Sequence, residues 1–165
     1  MELTFLQKIV FLALDDKGWF GASEHKIKFG LVGAILFELY KLDRIALVND
    51  EVVVTQPHST DNVLLDRVLN VIKASGKQRS LRSWIQRIAY KKLMLRKTIL
   101  KQLIGMKVVG REEYSLLVVF YQTKFPLIDV PLKRKIQDQI CEGVIAGKTL
   151  NDHDLMLLGD RKSVV

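Results

Sequence analysis

From Arg67 to Arg111 the chain carries thirteen Lys and Arg residues and no acid; the flanking carboxylates are Asp66 and Glu112. Side chains of that type and spacing do electrostatic rather than covalent chemistry: they neutralise a polyanion. A single-sign block raises the energy of a compact chain through self-repulsion, so a negative counterpart outside the protein is its natural explanation. Nucleic acid, the anionic face of a membrane and a phosphorylated headgroup all qualify. A solvated helical surface that uses Lys and Arg for solubility is the plainer alternative. The excess is local, because the whole chain sets 26 Lys and Arg against 18 Asp and Glu, for a net charge of +8.

No other cluster offers chemistry of comparable strength. His25, His58 and His153 stand alone, without metal-ligand spacing to a carboxylate or to Cys141. The run Asn151-Asp152-His153-Asp154 reads as a polar helix start. Cys141 follows Ile140 on an amphipathic stretch, where a small buried hydrophobe is expected. Asp15 and Asp16 read as turn formers. Gly30 and Gly33 sit inside an apolar helix, where they would permit close packing rather than cradle a phosphate. No Ser or Cys nucleophile has a recognisable setting, so the expectation is a non-enzyme without metal or cofactor.

The elements that position the cations follow from periodicity. At 165 residues, 48% hydrophobic and with a mean hydropathy of +0.12, the chain fits one well-filled domain or two tightly packed halves. No run reaches the ~18 apolar residues of a bilayer span, no basic region precedes the first apolar stretch, and one cysteine fits a reducing compartment. Leu3, Leu6, Ile9, Val10 and Ala13 predict a first helix to about Leu14, with Thr4 as its cap. Trp19-Phe20 reads as a short extended piece and Lys28 to Leu42 as the most apolar helix. Arg44–Val48, Asn49-Asp50 and Glu51–Thr55 read as a hairpin with a tight turn. Asp61 is the expected cap of a helix through Ala74.

Ser80 caps a basic helical stretch from Leu81 to about Ile104, with a break expected near Tyr90–Lys92. In its first half Leu81, Trp84, Ile85 and Ile88 share a face that Arg82, Arg87 and Lys91 avoid. A second hairpin is expected from Val108-Val109, a turn at Gly110–Glu113, and Tyr114–Tyr121. Helices over 131–146 and 152–158 complete the chain. The class is mainly α: a compact helical domain with two β-hairpins.

Five segments in order resemble the Golgi phosphoprotein 3 family: Phe11–Gly18 (FLALDDKG), Gly30–Ile45 (GLVGAILFELYKLDRI), Ser59–Asp66 (STDNVLLD), Ser80–Arg87 (SLRSWIQR) and Lys124–Leu127 (KFPL). The resemblance implies a single family domain over residues 1–165, shortened at its C-terminal part as in bacterial members, with one hairpin protruding. It also implies a peripheral membrane protein that binds phosphatidylinositol 4-phosphate and the cytosolic tails of glycosyltransferases, and that forms oligomers through the second hairpin. Carried over by position, the family's loop tryptophan falls on Ser23, the arginine between its helix glycines on Val32, and its two later arginines on Leu93 and Arg96. Arg96 alone keeps the family's residue; Trp19, and Lys91, Lys92 or Lys97, are the nearest substitutes.

The leading expectation is therefore a non-catalytic peripheral membrane protein, a headgroup-binding module or adaptor at the cytoplasmic face, that binds anionic phospholipid headgroups of the phosphatidylinositol 4-phosphate type through a basic face. Its anion-contacting set is Arg96, Lys91, Lys92, Arg87 and Arg82, with Trp19 as the aromatic. Leu116, Val118 and Phe120 on the second hairpin are the expected membrane or oligomer contacts, and a homo-oligomer and protein clients are the expected partners. The alternative is a nucleic-acid-binding protein of tandem winged-helix type; Trp84 and Tyr90 are the only aromatics in the block, which leaves base stacking little to use. A scaffold whose basic face meets an acidic protein is the third reading.

Overall fold

The computed structural model describes residues 2–117 and 120–145; for 116, 117, 120, 121 and 142–145 only the backbone is described. The chain is mainly α with small antiparallel sheets, as its periodicity predicts. It divides into two compact units. One comprises the described residues of Met1–Glu24 and Arg96–Val165, the other His25–Leu95.

The first unit opens with α1 (Phe5–Leu12). Thr4 and Gln7 form a reciprocal capping box, each side chain bonded to the other's backbone N–H, which satisfies two otherwise orphaned donors. Phe5, Leu6, Val10 and Phe11 are buried, and α1 packs on α6 (Val130–Ile145), whose inward positions are Lys133, Ile136 and Ile140. α5 (Leu95–Gly105) contributes Ile99 and Leu103, both fully buried. Only its first residue, Leu95, belongs to the second unit.

The second hairpin is displaced from its expected place. Its strands are β4 (Glu112–Leu117) and β5 (Phe120–Lys124), so Gly110–Glu113 is not its turn: Glu112 and Glu113 already lie in β4, paired with Lys124 and Thr123. Val108 and Val109 are fully buried and pair with a segment far beyond the expected turn: Val109 bridges Leu127, and the Gly110 N–H donates to the Pro126 carbonyl at 2.8 Å. That isolated bridge keeps the register of the Glu112↔Lys124 pair. Opposite charges at Glu112 and Lys124 face each other across the two strands, the cross-strand arrangement that favours this register.

The second unit is built on α2 (Glu24–Lys41), which starts four residues before the expected Lys28. Leu31, Val32, Ile35, Leu36 and Leu39 are all essentially inaccessible, so α2 is buried on most of its circumference. β1 (Ile45–Val48) and β2 (Glu51–Val54) pair as the sequence predicts, and Asn49 and Asp50 both take positive φ, at 50° and 63°, as a two-residue turn of this kind requires. A third strand, β3 (Arg79–Ser80), adds to β2, giving the order β1-β2-β3. Two residues carry no periodicity, so sequence gives no sign of it.

α3 (Val63–Ser75) is capped by Asn62, not by Asp61. Asn62 has extended backbone and its side-chain oxygen accepts from the N–H groups of Leu64 and Leu65, while Asp61 turns to φ 58°. α3 ends on Gly76 in the left-handed conformation, with Leu65, Val68, Leu69 and Ile72 buried. The expected helix over 152–158, with His153, lies outside the described residues.

Candidate anion-binding site

The basic stretch forms two helices, α4 (Leu81–Ala89) and α5, broken at 90–94 as the sequence predicts. Ser80 caps α4 by accepting from the Ser83 N–H at 3.3 Å. Trp84 and Ile88, one turn apart, are fully buried, and α4 packs on α3, β2 and β3. Leu81 shares that side of the helix but is 39% exposed, so the apolar stripe is narrower than four residues. Arg79 lies over the Trp84 ring, 5.9 Å from its centre, and is thus a cover for the core rather than a free cation.

Arg82 and Arg87 are exposed, off the buried Trp84–Ile88 stripe of α4. Tyr90 caps the helix in αR conformation, its N–H donating to the Gln86 and Ile88 carbonyls. Lys91 and Lys92 follow, both exposed. The Leu93 N–H then donates to the Lys91 carbonyl at 2.8 Å, and Arg67 Nη1 donates to the Leu93 carbonyl at 3.1 Å, which fastens the connection to α3. Met94 takes φ 53° before α5 begins. Among the described residues, Arg82, Arg87, Lys91 and Lys92 form no ion pair. Four of the five cations expected to contact an anion therefore stand on one helix and the turn that follows it.

The fifth, Arg96, belongs with the first unit and is differently placed. Its guanidinium lies 4.8 Å above the centre of the Phe20 ring and 3.7 Å from Glu24 Oε1. Phe20 in turn meets Phe125, ring centres 6.0 Å apart. The aromatic beside Arg96 is thus Phe20, where the sequence pointed to its neighbour Trp19. Trp19 is half-buried in a loop built around Asp15, whose Oδ1 accepts from the N–H groups of Lys17 and Trp19, both at 2.8 Å. Asp15 is the expected turn former. Asp16 has a second role that the sequence did not reveal: Lys133, buried on α6, donates to Asp16 Oδ1 at 3.0 Å and to the Leu14 carbonyl at 2.8 Å. Gly18 closes the loop at φ 83°, where a Cβ would lie 2.5 Å from the Phe125 carbonyl carbon.

Other cations of the block are also engaged. Lys73 donates to the Pro57 carbonyl at 2.8 Å and Arg111 pairs with Glu113. Asp66, at the upstream edge of the block, accepts from the Ser59 hydroxyl and from the Thr60 N–H and hydroxyl, and these bonds hold its carboxyl below the usual carboxylate range. It neutralises none of the thirteen cations.

Two positions carried over from the family's headgroup site are apolar and inward or partly so: Val32 is fully buried and Leu93 half-buried. Val118 lies outside the described residues, and Leu116 and Phe120 are described as backbone alone, in β4 and β5. Cys141 is exposed, not buried, because the inward stripe of α6 runs through Lys133, Ile136 and Ile140. Gly30 and Gly33 have no atom within 4 Å of an added Cβ, so close packing is not their reason. Among the described residues no group of three His, Cys, Asp or Glu could hold a metal, and no helix is long and apolar enough to cross a membrane.

A family model described as Golgi phosphoprotein 3 (GPP34) matches residues 6–159. The match spans nearly the whole chain, and the protein belongs to that family.

Proposed function

We propose that this Golgi phosphoprotein 3 family member is a non-catalytic peripheral membrane protein that attaches to anionic phospholipid headgroups, at the cytoplasmic face, through the outer side of α4 and the 90–94 connection. The observation that carries this reading is the set Arg82, Arg87, Lys91 and Lys92: exposed, without an ion pair among the described residues, and mounted on a helix anchored by Trp84. Each such cation near an anionic leaflet contributes about 1 kcal/mol. Four would strengthen binding on the order of a thousandfold if fully additive, within a Debye length of about 8 Å. The apolar residues Val32 and Leu93 favour recognition of surface charge over a single inositide clasped in a pocket.

Vesicle co-sedimentation tests the reading. Binding to vesicles containing phosphatidylserine at ~0.1 M salt should exceed that to neutral phosphatidylcholine and weaken as salt rises. Equal binding to both would remove the membrane role. Salt-dependent affinity for random duplex DNA without affinity for anionic vesicles would favour nucleic acid instead.

A further inference from the structure

Tyr90 is 71% exposed and Met94 62% exposed, the two most exposed large hydrophobic residues among those described. They stand at the two ends of one short connection, with Lys91 and Lys92 between them. Single exposed apolar residues need no explanation, but a pair bracketing two unpaired cations on a turn is a different feature.

Neither side chain is exposed for want of order around it. The Tyr90 ring is held edge-on by two residues of α2, His25 at 6.3 Å and Phe29 at 6.1 Å between ring centres, yet most of its surface stays open. Met94 is held out by its backbone. Six non-glycine residues among those described have positive φ; five are Asp, Asn or Lys, and Met94 alone is apolar. A left-handed methionine costs roughly 1–2 kcal/mol relative to ordinary backbone, and this one recovers little of that by burial. Glycine would suit the backbone better and a polar residue would suit the exposure better. Arg67, through the Leu93 carbonyl, keeps the connection in this shape.

We propose that Tyr90 and Met94 are a membrane-inserting pair: when Lys91 and Lys92 meet anionic headgroups, the phenol ring and the thioether enter the interfacial layer of the same leaflet. The partner is a lipid surface because exposed apolar groups flank two exposed cations within five residues, which matches an interface whose headgroups are anionic and whose next layer is hydrocarbon. Tyrosine suits that depth, with an apolar ring and a hydroxyl that remains hydrated. Methionine is flexible enough to fit among acyl chains. The proposal rests on the membrane reading above and adds to it a wedge distinct from the β4–β5 hairpin. It divides binding into a salt-sensitive part from the lysines and a salt-resistant part from the pair.

The test uses the full chain with Cys141→Ser, carrying a single cysteine labelled with an environment-sensitive fluorophore at Tyr90→Cys, at Met94→Cys, or at exposed Asn70→Cys as a control. On vesicles with one-third phosphatidylserine, emission from positions 90 and 94 should rise and shift to the blue, and lipids bearing a shallow acyl-chain quencher should suppress it. Position 70 should stay unchanged. In parallel, unlabelled Tyr90→Ser/Met94→Ser should bind these vesicles on the order of tenfold more weakly with an unaltered salt slope, whereas Lys91→Ser/Lys92→Ser should flatten the slope. Tyr90→Phe, which keeps the ring contacts, should retain binding. Protein that sediments with vesicles while positions 90 and 94 remain in a watery environment overturns the wedge and leaves the membrane reading intact. Protein that fails to sediment with anionic vesicles overturns both.

Discussion

Arg96 and the cations of α4 come from the same acid-free block, yet they have opposite fates. Arg96 is enclosed by partners of its own unit, a carboxylate at 3.7 Å and an aromatic face at 4.8 Å. Arg82, Arg87, Lys91 and Lys92 make no ion pair among the described residues. Charge density along a sequence therefore does not measure charge offered to a partner. What matters is which cations the fold spends on carbonyls, rings and carboxylates, and which it leaves over.

The largest effect that sharpens this contrast lies beneath the open set. Trp84→Ala removes a fully buried indole from the inner side of α4 and should cost about 3–5 kcal/mol, read by chemical denaturation, with loss of anion binding. Gly18→Ala attacks the other region. Its φ of 83° and the 2.5 Å approach of Phe125 leave no room for a Cβ, so a loss on the order of 3 kcal/mol is expected. A neutral result would mean that the loop carrying Phe20 is not fixed by this contact.

Lys91→Ser and Lys92→Ser come next and should separate binding from stability. Each should weaken attachment to anionic vesicles roughly fivefold while leaving the denaturation midpoint unchanged. Gly33→Ala is the counterpart of Gly18→Ala, because nothing lies within 4 Å of its added Cβ. In the interior of α2 it should stabilise by about 0.5–1 kcal/mol, and destabilisation would reveal a contact on that face.

The smallest effect concerns Asp66. Its carboxyl is held below its ordinary range chiefly by the Ser59 hydroxyl and then by the Thr60 N–H. A depressed folded value stabilises the protein at pH above the unfolded carboxylate value, about 4, and that contribution fades as pH falls through the folded value. The stability advantage of the wild type over Asp66→Asn should accordingly be constant from neutral pH to about 5 and shrink on further acidification.

Much of this arrangement was legible in the residues. The Asn49-Asp50 turn, the Thr4 and Ser80 caps and the break after α4 each depend on local chemistry, and each stands where spacing placed it. The burial of Trp84 followed from its helical phase with Ile88. The misses depend on distant partners. β3 exists because Arg79 and Ser80 pair with β2, and Gly110–Glu113 is not a turn because Val109 and Gly110 pair with Leu127 and Pro126 and Glu112 pairs with Lys124. Lys133 is one of three successive cations on α6, and only the Leu14 carbonyl and Asp16 select it for burial. The same limit applied to the site: composition marked the basic block, but which of its members Phe20, Glu24, Pro57 and Leu93 would engage was written elsewhere in the chain.

The most direct test compares two variants of equal net charge on vesicles of one-third phosphatidylserine at ~0.1 M salt. One changes Arg82, Arg87, Lys91 and Lys92 to Ser; the other changes four exposed cations elsewhere, Lys17, Lys41, Arg134 and Lys135. Loss of binding in the first with retention in the second is the predicted result. Equal loss in both would show that net charge alone attracts the protein, and retention in the first would show that the outer side of α4 does not meet the membrane.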